Sequence, residues 1–109
     1  MGLPITVAAD PSRWRVRVGD MVLGETSAAV VLNEGGHGPV LYVPRADMNM
    51  SAFTPTDRLT TCPWKGQASY FSVAGLQNVV WSYQDPLPAV AQIAGHLAFY
   101  PQVTVERVG

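Results

Sequence analysis

At 109 residues with 48 % hydrophobic and 14 % charged side chains, the chain is long enough for one core and too apolar to stay disordered. It reads as a single domain over residues 1–109. Seven basic against eight acidic residues leave a net charge of -1, no footprint for a phosphate backbone, and so no nucleic-acid partner is expected.

One cysteine cannot close an internal disulfide, and neither a secretory h-region nor a run of about 18 apolar residues occurs. A cytoplasmic location without membrane contact is the expectation, as monomer or homodimer. The start, Met1-Gly2-Leu3-Pro4-Ile5-Thr6, fits the loose N-myristoylation pattern. Patterns this short match by chance, and it is set aside.

In chain order, Arg13-Trp14-Arg15-Val16-Arg17-Val18 alternates in the manner of a strand, with Trp14, Val16 and Val18 on the buried face and three arginines on a solvated one. Gly19-Asp20 turns it into Met21-Val22-Leu23. The valine-rich run from Ser27 to Leu32 reads as strand. Gly35-Gly36-His37-Gly38 is a turn before the strand Val40 to Val43, with His37 exposed. Asp47 is placed to cap one helical turn through Met48 to Ala52.

Thr60-Thr61-Cys62-Pro63-Trp64-Lys65-Gly66 is the most chemically loaded segment, a turn leading into two strands, Gln67 to Val73 and Val79 to Tyr83. A loop over Ala74 to Asn78 joins them. Val79, Trp81 and Tyr83 share one strand face, and Ala68 and Tyr70 share one with Phe71 opposite. Pro88 then suits the first turn of a short helix ending near Gly95, its apolar face built from Val90, Ile93, Ala94 and Leu97. Leu97 to Tyr100 and Val103 to Val105 close the chain as β segments.

Tyr42, Pro44, Asp47, Thr61 through Gly66, Ala68, Tyr70, Trp81, Tyr83, Pro86 and Gly95 through Phe99 together resemble the small bacterial family known as domain of unknown function 427. The resemblance spans nearly the whole chain. It implies a β-tent, or Mss4-like, fold: two antiparallel sheets meeting at an angle, with one or two short helices. Composition alone implies only a mostly β protein. Members are sometimes labelled nucleotidyltransferase-like, and such an enzyme enters only as an alternative, because the carboxylates here are dispersed and no phosphate-cradling glycine motif is present.

Relatives with this fold often hold zinc between two Cys-x-x-C knuckles, whereas Cys62, His37 and His96 are too few and too scattered for four ligands. Neither metal nor cofactor is expected. Trp64, Trp81 and Tyr70 are the expected filling between the sheets.

Three functional readings follow from the residues. Lys65, three positions after Cys62, favours a thiolate, but no base or resolving cysteine accompanies it, so no catalytic residue is assigned and a thiol-dependent redox enzyme stands as an alternative. The preferred reading is a small-molecule binding module. Its aromatic walls would come from Trp14, Tyr42, Trp64, Tyr70, Trp81 and Tyr83, and its polar groups from Glu25, Thr26 and Lys65, beside Cys62. A structural or protein-binding β domain is the third reading.

Overall fold

The computed structural model describes residues 4–109; Met1, Gly2 and Leu3 of the acylation pattern lie outside the described residues. The described chain is mostly β. Its strands are β1 (Ile5–Asp10), β2 (Trp14–Val18), β3 (Met21–Thr26), β4 (Ala29–Glu34), β5 (Val40–Tyr42), β6 (Phe53–Cys62), β7 (Gly66–Val73), β8 (Leu76–Tyr83), β9 (Ala98–Phe99) and β10 (Thr104–Arg107). They form three antiparallel sheets rather than two, ordered β1-β4-β5, β10-β2-β3 and β6-β7-β8-β9.

The arginine strand β2 folds as its alternation dictates. Val16 is fully buried, with Trp14 and Val18 packed beside it. On the outer face Glu25 of β3 accepts from Arg13 Nε at 2.9 Å and Arg15 Nε at 2.8 Å, and Glu106 of β10 accepts from Arg17 Nε at 2.8 Å. These pairs line up because Arg15 sits opposite Glu25 on one side and Glu106 on the other. Exposed pairs of this kind contribute about 0–1 kcal/mol each.

β7 and β8 form the central hairpin, joined more tightly than a loop over Ala74 to Asn78 would allow. Val73 pairs with Leu76, and the two turn residues, Ala74 and Gly75, take positive φ of 52° and 78°, the backbone of a type I′ turn. Tyr70 pairs with Trp81 and Phe71 with Val80. Consecutive residues face opposite sides of a strand, so this sheet feeds two cores. Phe71 and Val80 join Val16, Leu23, Phe53 and Leu97 against the arginine sheet. Tyr70 and Tyr83 join Leu32, Tyr42, Val90 and Ile93 against the β1-β4-β5 sheet. Val79 packs in the first core instead of beside Trp81, because Asn78 at φ 56° breaks the alternation just before it.

β1 and β6 have no counterpart in the sequence reading. β6 carries Pro55 and Asp57, residues depleted from strands, and its register with β7 breaks between Pro55 and Leu59. The break is a bulge on an edge strand, where a missing backbone donor costs nothing.

Asp47 does not cap a helix. Short 3-10 turns occupy Arg45–Asp47 and Met50–Ala52 without side-chain caps, and the Asp47 carboxylate instead accepts a 2.7 Å bond from Thr26 Oγ1. The segment Pro88–Ile93 is likewise 3-10, broken by a non-helical Val90 at φ -126°. Val90, Ile93 and Leu97 are buried as expected, whereas Ala94 is exposed. Six residues are too few for an α-helix without stronger support.

Candidate functional site

Cys62 pairs with Gly66 across the β6–β7 hairpin, so Pro63, Trp64 and Lys65 are its connecting residues. Their fates differ. Trp64 at the apex is 43 % exposed and fills no core, contrary to its expected place between the sheets. Lys65 turns inward, its amide donating to Cys62 O at 3.3 Å and its carbonyl accepting from Leu87 N at 3.0 Å. Its ammonium donates to Glu34 Oε1 at 2.5 Å, at the end of β4. Burial works against the ammonium's charge, but the Glu34 carboxylate and the Cys62 sulfur outweigh it and hold the Lys65 pKa above its ordinary value.

Beside this ion pair lies a cavity of about 190 Å³, lined by Leu32, Glu34, His37, Gly38, Val40, Tyr42, Lys65, Tyr70, Trp81, Tyr83 and Tyr100. Strand pairing explains the aromatic cluster. Tyr70 lies opposite Trp81, and Ala68 opposite Tyr83, so the small alanine leaves the larger rings room. Tyr42, the last residue of β5, meets Trp81 edge to face, with centroids 6.4 Å apart and planes at 88°, and its hydroxyl accepts from Trp81 Nε1 at 3.3 Å. Tyr100 is brought over Trp81 by its amide bond to Val79 O at 2.9 Å, placing the rings 4.8 Å apart at 54°.

The hydroxyls are differently placed. Tyr70 bonds Thr60 Oγ1 at 2.9 Å, and the Arg58 guanidinium lies 5.0 Å above its ring. Burial pushes the Tyr42 pKa up, only partly opposed by the Trp81 indole. Tyr83 is raised further, burial again being the main cause. Both therefore stay neutral phenols at physiological pH.

Of the residues proposed from sequence, Tyr42, Lys65, Tyr70, Trp81 and Tyr83 come together here. Cys62 is half-buried and packs behind the lining. Trp64 stands outside it. Trp14, Glu25 and Thr26 belong to the β10-β2-β3 sheet, where Trp14 packs in the first core under Arg107 and Glu25 and Thr26 make the bonds already described. Sequence reasoning missed Glu34, His37 and Tyr100. Glu34 was findable: two residues after buried Leu32 on β4, it falls on the inward face of the strand.

Among the described residues no group of three His, Cys, Asp or Glu gathers as a metal site, and no helix is long and apolar enough to cross a membrane. The family model described as Domain of unknown function (DUF427) matches residues 6–109. No curated protein matches the chain.

Proposed function

The chain belongs to the DUF427 family, and from its geometry we propose that it is a small-molecule binding module whose site is the aromatic cavity beside the Lys65–Glu34 pair. The observation that carries this reading is the cavity's make-up: five aromatic side chains with one partly buried ion pair. Ligand sites combine apolar walls with a few polar groups that fix orientation.

A thermal-shift screen of small metabolites tests the reading, run on the native protein and on Gly38→Trp. Gly38 lines the cavity, and a Cβ there meets nothing within 4 Å, so the tryptophan obstructs the mouth without a clash in the core. A true ligand raises the melting temperature by mass action, by about 2.7 kcal/mol of added stability at a hundredfold excess over Kd. The variant should not respond. If no compound stabilises the native protein more than the variant, the reading fails.

A further inference from the structure

We infer that the ligand is a small zwitterion, a methylated ammonium and a carboxylate on one short skeleton, held between the aromatic walls and the Glu34–Lys65 pair. The inference rests on the binding-module reading and adds the ligand's chemistry to it.

Charge comes first. Glu34 and Lys65 side chains are only 16 % and 12 % exposed, and both line the cavity. Their mutual bond uses one of three ammonium donors and one of roughly four carboxylate acceptor positions. A ligand of a single sign would meet the like-charged member of the pair at close range, where partial desolvation strengthens repulsion. A ligand bearing both signs offers its cation to Glu34 and its carboxylate to Lys65.

The rings specify the cationic end. Two parallel walls would grip a flat heterocycle, but Tyr42 and Tyr100 stand at 88° and 54° to Trp81. Inclined rings make a corner for a rounded group, and the faces of tryptophan and tyrosine attract alkylated ammonium.

Tyr83 supplies a donor for the carboxylate. It lines the cavity at 6 % exposure, and its hydroxyl has no hydrogen-bond partner among the described residues, whereas those of Tyr42 and Tyr70 are engaged by Trp81 and Thr60. A neutral phenol with an unused O–H is suited to a carboxylate. At about 190 Å³, the cavity is of the right order for a short betaine.

The test uses 15N-labelled protein and the Trp81 indole N–H resonance as reporter. Trimethylglycine is compared with 3,3-dimethylbutyrate, which has the same shape with carbon in place of nitrogen, and with choline, which has a hydroxyl in place of the carboxylate. A local resonance is chosen because osmolytes raise melting temperatures without binding. Trimethylglycine should shift the reporter saturably at low millimolar concentration, and each analogue should bind at least tenfold more weakly. Tyr83→Phe should weaken trimethylglycine about tenfold, and the pair Glu34→Gln with Lys65→Met should erase the discrimination among the three. Equal or tighter binding of either analogue overturns the inference. If a compound from the metabolite screen saturates the reporter while trimethylglycine leaves it unmoved, the inference falls and the binding-module reading stands. If nothing moves it, both fall.

Discussion

Replacing Gly66 tests whether backbone strain at the head of β7 supports the site. Gly66 holds φ at 114°, a region side-chain-bearing residues reach at a cost of about 1–3 kcal/mol. A Cβ there would lie 3.4 Å from Asp85 O and 3.6 Å from Pro86 Cα, ordinary contact, so the penalty in Gly66→Ala is conformational rather than steric. Alanine also lowers the entropy of the unfolded chain, which offsets about 0.4–1 kcal/mol. The net loss should be about 1–2 kcal/mol, or about 4–8 °C in melting temperature for a domain of this size. Gly66→Val adds two methyl groups against the Asp85–Leu87 segment and should lose about 1–3 kcal/mol more from overpacking. Denaturant midpoints measure both, with Gly36→Ala as control: that position has ordinary φ and open space around a Cβ. Gly66→Ala matching the native midpoint, or matching the control, would refute the argument.

Ala74 occupies a positive-φ turn position that asparagine tolerates better, so Ala74→Asn should stabilise the β7–β8 hairpin by about 0.5–1 kcal/mol in urea unfolding. Tyr83 has a folded pKa raised by burial above the unfolded value near 10. Its stabilisation is present below that unfolded value and lost as pH rises through the folded one. Tyr83→Phe should therefore lose less stability than the native protein between about pH 9.5 and 11.5, and parallel curves would count against a buried neutral phenol. Lys65, also raised, keeps some alkaline slope in the variant. Cys62 lies behind the lining, so Cys62→Ser should keep the ligand-induced melting shift while losing at most about 1–2 kcal/mol; a folded variant that no longer binds would return the sulfur to the site.

What could be read from the sequence was whatever depends on short-range pattern. The alternation of Trp14, Val16 and Val18 identified β2 and its buried face, and the β7 and β8 runs placed Tyr70, Trp81 and Tyr83 together because strand pairing follows from adjacency. Lys65 was singled out by its chemistry, and the hairpin does turn it inward. Trp64 was misjudged for a geometric reason: in a three-residue connection one side chain must stand at the apex, and composition does not say which. Glu25 and Thr26 were assigned to a pocket they do not line, because which sheet faces which is decided by long-range contacts such as the Gly24–Met48 bridge. Tyr100 escaped notice since its position depends on an amide bond to Val79, twenty-one residues back.

The bulged strand β6 has a further consequence. It is an outer strand of the four-stranded sheet and runs for ten residues, whereas the opposite edge, β9, has two. A long exposed edge is a template on which a second chain can add its own strand and seed aggregation. Here Pro55 withholds a donor, the register break spoils the ladder's spacing, and Asp57 and Arg58 place exposed charges in the gap. The residues that make β6 a poor strand by composition are the ones that keep its free edge from recruiting a neighbour.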